Sequence, residues 1–294
     1  MRLLGKFVAL IALIISIATT ITAQWPTYRA PGVPRTATGQ ADPTAPTPKT
    51  ADGKPDLSGL WDNGRNTNTQ RGGAFGGGAD FNAAAPANRG AAAAAPAPSS
   101  APPSATFFNV GAGFSGGLPF SPWADNVVKQ RMADNSKDNP DAHCLPMGFM
   151  QFHTHSQPRK IIQTPGVILI IYEANAGLRQ IFTDGRALPK DVEPWWYGYS
   201  VGKWEGDTLV VETTGFTDDI WLDVRGSPLT STGRVIERFR RPNYGNLEIE
   251  ITVEDSKAYT KPWTVKVNQR LYPDTELIEF ICEERDATHY VGKQ

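Results

Sequence analysis

Two histidines that flank one threonine, His153 and His155, are the residues of this sequence whose types best suit a metal site. In a strand, side chains two residues apart point to the same face, so both imidazoles could reach one ion together with a carboxylate such as Glu173. The third ligand is missing nearby, because Arg159 and Lys160 occupy the region where it would be expected. We therefore assign no metal and no other cofactor. Hydrogen-bonded or solvent-facing histidines are the alternative interpretation.

A second group of residues combines charge with aromatic rings on segments that are otherwise apolar. Glu173, Glu212 and Arg179 lie in predicted strands, and Trp196 and Tyr199 belong to an aromatic cluster. Charges are buried only when they are paired, and aromatic rings can stack on a sugar or close over an apolar ligand. These five residues form the predicted ligand-binding site, for a small apolar or aromatic molecule. The alternatives are an outward ladder of ion pairs and aromatic rings that only pack one end of the fold.

The same residues could also serve catalysis. Glu212 and Tyr199, with or without the two histidines and a metal, would suit a hydrolase or an isomerase. However, the chain has no nucleophile elbow, phosphate-binding loop, dinucleotide fingerprint, paired C-x-x-C or H-E-x-x-H, so no catalytic residue is assigned. With Lys+Arg 29 against Asp+Glu 30, the net charge of -1 gives no field that would attract nucleic acid.

The element that must position these groups is a hairpin over residues 197–216. Gly206 supplies the backbone freedom that a tight turn needs. A loop at Glu205 and Gly206 would pair Tyr199 with Glu212 on one face of the sheet. Leu209 would then belong to the opposite face, which we expect to enclose the interior.

Further strands are indicated by alternation of apolar and polar residues, most clearly over 247–254. About eight or nine antiparallel strands with short turns are predicted in total. Such a meander must hide its edges, so we predict a mainly β fold that closes into an up-and-down barrel or half-barrel. A two-sheet sandwich is the alternative. One N-terminal flanking helix is predicted at about 122–134, because Ser121 and Pro122 suit its N-cap and first turn.

The first 23 residues have the pattern of a secretory signal peptide. Arg2 and Lys6 precede an apolar run, and small residues lead up to Ala23. We expect a periplasmic or extracellular protein without an integral membrane span after cleavage; a retained anchor is the alternative, for which the run is short. In an oxidising compartment Cys144 and Cys282 would form a disulfide, and two free buried thiols are the alternative.

Composition divides the rest of the chain. Residues 24–54, rich in Pro, Thr and Ala, are predicted to be a disordered tether, and 55–64 a first-strand region. Residues 65–104 form a low-complexity Gly/Ala/Pro insert. The antiparallel β domain is predicted over 105–294.

Four motifs resemble those of a family of secreted bacterial proteins of unknown function. They are Pro55–Trp61 (PDLSGLW), Cys144–Gly148 (CLPMG), Arg179–Arg186 and Trp204–Thr213 (WEGDTLVVET). The G-x-W of the first motif and the hairpin of the last are also loosely similar to lipocalin-like (calycin) barrels, which implies a ligand cavity by analogy only. The predicted function is an exported small-molecule-binding barrel. A hydrolase or isomerase and a structural cell-envelope protein remain the alternatives.

Overall fold

The computed structural model describes residues 29–63 and 101–282. The predicted signal peptide and nearly all of the predicted Gly/Ala/Pro insert lie outside the described residues. Among the described residues, no helix is both long enough and apolar enough to span a bilayer.

Nine strands close into one barrel, which confirms the predicted mainly β, closed fold. The barrel strands are β1 Gly59–Asp62, β2 Arg159–Thr164, β3 Val167–Tyr172, β4 Leu178–Phe182, β5 Tyr199–Glu205, β6 Thr208–Thr214, β9 Arg234–Asn243, β10 Asn246–Glu254 and β11 Trp263–Leu271. Around the barrel their order is β1, β11, β10, β9, β6, β5, β4, β3 and β2, and β2 pairs with β1 to complete the circle. A separate two-stranded ladder consists of β7 Ile220–Trp221 and β8 Pro228–Leu229.

One strand pair departs from the predicted up-and-down meander. β4 and β5 run parallel, with Ile181 beside Ser200 and Phe182 beside Val201, whereas the other described barrel pairs are antiparallel. Two parallel neighbours cannot be joined by a tight turn. The Pro-containing connection over 183–198 instead returns the chain to the end of the barrel at which β4 began.

The interior is filled by the inward side chains of each strand. The predicted alternation of β10 is confirmed, because Leu247, Ile249 and Ile251 are buried while the glutamates between them face outward. Leu209 on β6 also faces inward, as expected. β3 alternates as well, with Ile168, Ile170 and Tyr172 buried. Each buried aliphatic side chain contributes about 1.5–3 kcal/mol relative to exposure.

The flanking helix, α1, spans Pro122–Ala133 and begins where its cap predicts. The Ser121 hydroxyl accepts a hydrogen bond from the Ala124 N–H at 3.2 Å. Its buried residues are Ala124 and Val128, whereas Trp123 and Met132 of the predicted apolar stripe are 42% and 44% exposed. The helix therefore buries a narrower face than its larger side chains suggest.

A second, short helix that was not predicted, α2 Phe149–Thr154, lies inside the barrel. Phe149, Met150 and His153 are all at most 1% exposed. Gly148 permits this approach, because a Cβ there would lie 2.4 Å from the Trp221 carbonyl oxygen. A disulfide between Cys144 and Cys282, with Cα atoms 5.5 Å apart, ties the loop before α2 to the C-terminal segment.

The segment predicted to be a disordered tether is instead structured from Arg29 onward. The carbonyl oxygen of Ala45 accepts a hydrogen bond from Tyr244 N at 2.8 Å, and the Thr47 hydroxyl donates to the Arg241 carbonyl oxygen at 2.8 Å. Arg35 forms an ion pair with Asp274. The segment has few apolar residues, but it satisfies backbone groups of the β9–β10 turn. Residues 277–282 contain no strand.

Candidate functional site

The barrel interior contains a buried charged network centred on Glu237 of β9. One carboxylate oxygen, Oε1, accepts hydrogen bonds from His153 Nε2 at 2.9 Å and from Arg179 Nη1 at 3.0 Å. The other oxygen accepts from Arg179 Nη2. The three side chains come from β9, α2 and β4, and each is at most 1% exposed. The network therefore links α2 to strands β9 and β4 of the barrel.

Two hydroxyl groups complete the surroundings of the Arg179 guanidinium. Its Nε lies 3.2 Å from Ser200 Oγ and its Nη2 lies 3.0 Å from Thr213 Oγ1. The two hydroxyl oxygens are 2.9 Å apart, on neighbouring strands β5 and β6. With five donors in a rigid fork, arginine can bond the carboxylate and both hydroxyls at once.

The charges of the network follow from burial and from mutual contact. Burial alone would raise the pKa of Glu237, but the charge of Arg179 and the hydrogen bond from His153 lower it to about 2. Burial lowers the pKa of His153 below its ordinary value despite the carboxylate beside it. At neutral pH the histidine is therefore neutral and donates through Nε2, and the pair Arg179–Glu237 carries the only full charges of this trio.

Further polar groups lie around α2. Arg159 of β2 is fully buried and donates from Nη1 to the His153 carbonyl oxygen at 2.7 Å and from Nη2 to that of His155 at 3.1 Å. Burial lowers the pKa of Arg159 to about 10, so it stays charged at neutral pH. Gln269 Nε2 lies 3.5 Å from His153 Nδ1. Because these side chains are closed to solvent, the interior network offers no access for a substrate.

The five residues of the predicted ligand site do not converge on one cavity. Arg179 lies in the interior, whereas Glu212 lies on the outer face of β6 and forms an ion pair with Arg234 at 2.9 Å. Tyr199 also faces outward, where its hydroxyl accepts from Arg186 Nη1 at 3.0 Å. The alternative interpretation, in which these charges form an outward ladder of ion pairs, is therefore the correct one for Glu212.

The two remaining predicted ligand residues lie elsewhere. Trp196 is half-buried and packs against the core. Glu173 follows β3, and its Oε2 accepts a hydrogen bond from Ile278 N at 3.3 Å. Both residues therefore support the packing of loops and the C-terminal segment.

The central hairpin has the predicted faces but a different register. Tyr199 pairs with Thr214 and Val201 with Glu212, so the loop consists of Gly206 and Asp207. The register differs by two residues from the predicted one. A shift of two leaves every side chain on its predicted face, since faces alternate with a period of two.

The histidines do not act together as the strand expectation required. His153 lies in α2 and His155 caps its end, so the two rings point in different directions. His155 Nδ1 accepts a hydrogen bond from Gln157 N at 3.0 Å. Across the described parts of the chain, no group of three or more His, Cys, Asp or Glu is placed to hold a metal ion.

Two adjoining cavities lie at the β9–β10 turn and at the nearby ends of β1 and β11, and we call them together the end groove. Their volumes are about 570 Å³ and 430 Å³, and both are lined by Asn246 and Arg270. The larger cavity is rich in polar side chains, namely Asn63, Asn243, Asn268 and Glu248. The smaller is lined mainly by rings and apolar groups, namely Pro43, Tyr244, Leu271, Tyr272 and Pro273.

Contacts with the N-terminal segment shape one wall of the end groove. Gly245 N donates to the Pro43 carbonyl oxygen at 2.9 Å. A Cβ on Gly245 would lie 2.3 Å from the Pro43 ring, so glycine is required for this close approach. On the polar side, Asn246 Nδ2 donates to Asn243 Oδ1 at 2.6 Å, which fixes the turn.

The charged residues of the end groove differ in whether they form ion pairs. Glu248 lies 3.0 Å from Arg240 and 3.4 Å from Lys266, and these cations lower its pKa although burial opposes them. Arg270 forms no ion pair and no side-chain hydrogen bond within the described ranges, although Asp62 lies opposite it in the β1–β11 register. Sequence reasoning missed this groove, because its residues are scattered from position 41 to position 273 and form no local motif.

Comparison of the chain with family models, with curated proteins and with solved structures gave no match. The function is therefore argued from the geometry of this chain alone.

Proposed function

We propose that this protein is an exported binding protein that holds a small ligand in the end groove. The observation that carries the proposal is the junction of a polar cavity with a tyrosine-lined one at Asn246 and Arg270. Export is supported by the signal-like residues 1–23 and by the disulfide, a bond typical of oxidising compartments.

The chemistry of the lining favours a ligand with both a ring and polar substituents. The rings of Tyr244 and Tyr272 offer apolar faces, on which a ring of the ligand can stack. The amides of Asn246 and Asn268 supply both donors and acceptors for hydroxyl groups. Each cavity falls within the roughly 300–1,000 Å³ range of small-molecule sites.

The end groove replaces the interior as the proposed binding site. A lipocalin-like ligand would occupy the centre of the barrel, but α2 and the Glu237 network fill that centre. Removing α2 from the interior would take the buried side chains of Phe149 and Met150 out of the core and break the hydrogen bond between His153 and Glu237, which is costly. A ligand in the end groove needs no such rearrangement.

The proposal is tested by ligand-detected NMR and calorimetry on the mature chain, with a library of monosaccharides, sugar acids and aromatic acids. We expect at least one class to bind, and Tyr272→Ala to weaken its binding about tenfold, since stacked rings contribute about 0.5–1.5 kcal/mol beyond the area that they bury. Tyr272 is 36% exposed, so the thermal midpoint of the variant is measured in parallel to separate a loss of binding from a loss of folded protein.

Tyr199→Ala provides the matched control, because Tyr199 is an outward tyrosine on β5 that does not line the end groove. It should leave binding unchanged. If Tyr199→Ala abolishes binding while Tyr272→Ala does not, the aromatic cluster is the binding site and the end groove is not. Absence of binding by every library member would refute the proposed function.

A further inference from the structure

The arginine at the centre of the end groove differs from its neighbours on the outer face of the barrel. Arg234, Arg238 and Arg240 of β9 each lie within 2.9–3.1 Å of a glutamate on β6, β5 or β10, respectively. Arg270 of β11 has no such partner among the described residues. The ladder of ion pairs thus neutralises the neighbouring arginines and leaves the guanidinium of Arg270 available.

Arg270 lines both cavities of the end groove, as does Asn246. In the sheet, Arg270 lies between Asn246 of β10 and Asp62 of β1. Asp62 is the nearest acid in register, but the two side chains form no ion pair. Glu248, the other acid of the groove, already contacts two cations. The lining therefore has one cation, Arg270, and two acids, Asp62 and Glu248, the second of which is neutralised by Arg240 and Lys266 outside the lining.

We infer that the ligand of the end groove is a sugar acid whose carboxylate is bound by Arg270; this inference rests on the proposed function. A guanidinium presents paired N–H donors that match the two oxygens of a carboxylate. The ring of the sugar would stack on Tyr272, and its hydroxyl groups would contact the amides of Asn246 and Asn268. Arg270 is the residue that distinguishes an acid sugar from the neutral sugar of the same shape.

The test compares D-glucuronate with D-glucose, which differ in a carboxylate, by calorimetry with the mature protein at neutral pH. Wild type should prefer glucuronate, and added salt should reduce that preference. Arg270→Gln should lower glucuronate affinity roughly 10- to 100-fold, the range for a lost hydrogen bond to a charged group. Glucose affinity should be unchanged, so the preference disappears.

Two further variants and one control sharpen the test. Arg270→Lys keeps the positive charge but lacks the paired N–H donors of a guanidinium, so it should retain part of the preference for glucuronate over glucose. Asp62→Asn removes the opposing carboxylate and should strengthen glucuronate binding. Arg238→Gln, an outward arginine outside the groove, should leave both affinities unchanged.

The outcomes separate the inference from the proposed function. Equal binding of both sugars, with an Arg270→Gln variant that has the same preference as wild type, would overturn the inference while a binding groove remains. If no sugar acid binds but another class in the library does, the sugar acid is wrong and the proposed function stands. If no library member binds, both fail.

Discussion

Replacing Glu237 with glutamine should destabilise the barrel more than any other change of similar size on its sheet. The substitution removes one charge and keeps the shape of the side chain. It leaves the guanidinium of Arg179 fully buried without its counter-ion, because burial acts to lower the pKa of Arg179 and Glu237 is the main group that raises it. His153 would also lose the carboxylate that accepts from its Nε2.

The magnitude follows from the burial of both partners. Removing one member of a buried ion pair costs about 3–5 kcal/mol, because the other charge stays uncompensated. Domains unfold with about 5–15 kcal/mol, so this loss is a large part of the total. At about 2–4 °C per kcal/mol for a chain of this size, the thermal midpoint should fall by roughly 6–20 °C.

The control is a glutamate in an exposed pair. Glu205 lies 3.1 Å from Arg238 on the outer face, and both side chains are about half exposed. Such surface pairs contribute about 0–1 kcal/mol, so Glu205→Gln should change stability little. The comparison holds the chemistry of the substitution constant and varies only burial.

Urea unfolding followed by tryptophan fluorescence measures both variants, with the midpoint compared at constant slope. A double-mutant cycle with Arg179→Met adds the coupling between the two side chains, and the double variant should lose less than the sum of the single losses. If Glu237→Gln costs no more than Glu205→Gln, the buried pair does not hold α2 in the barrel and the reasoning is wrong.

Two further predictions concern acid and reduction. In the folded protein the pKa of His153 is lowered by burial, and the pKa of Glu237 is lowered to about 2. Below about pH 6.5 for the histidine and below about pH 4.5 for the glutamate, the unfolded chain therefore binds a proton that the folded chain does not. The free energy of unfolding should be highest at neutral pH and fall through each of these two pH values as the pH is lowered. The thermal midpoint measured against pH tests this pH dependence. His153→Gln should remove the decline near pH 6.5. A wild-type thermal midpoint that stays constant down to about pH 5 would contradict the prediction. Replacing both Cys144 and Cys282 with serine removes a disulfide that spans 138 residues, and on the chain-entropy account it should lower the free energy of unfolding by up to about 5 kcal/mol. The urea midpoint of the variant should fall, and reduced wild type should show the same fall. Unchanged urea midpoints would contradict this prediction.

The strands and the faces of their side chains could be predicted locally. The alternation of β10 and the face shared by Tyr199 and Glu212 follow from the two-residue period of a strand, which is visible in the residues of each strand alone. The N-cap of α1 was likewise predicted from Ser121 and Pro122, because a cap depends on contacts within one turn.

Other features required the whole chain. The parallel pairing of β4 with β5 depends on where a long connection crosses the barrel, and no local pattern records that path. The Glu212 side of β6 was expected to line the cavity with Arg179, yet closure of the barrel places the two on opposite faces. The tether was predicted from its composition, whereas its order comes from backbone bonds to the β9–β10 turn.

By itself, the sequence determined that this is a mainly β protein of alternating strands whose edges must be hidden, and it left a closed barrel, a half-barrel and a sandwich as alternatives. Only the tertiary structure decided that α2 fills the centre and that Arg270, which has no ion-pair partner among the residues that the structure describes, lines one groove with Asn246 and Tyr272. Those contacts join residues that are far apart in the chain, so their energies depend on distances that exist only after the barrel has closed.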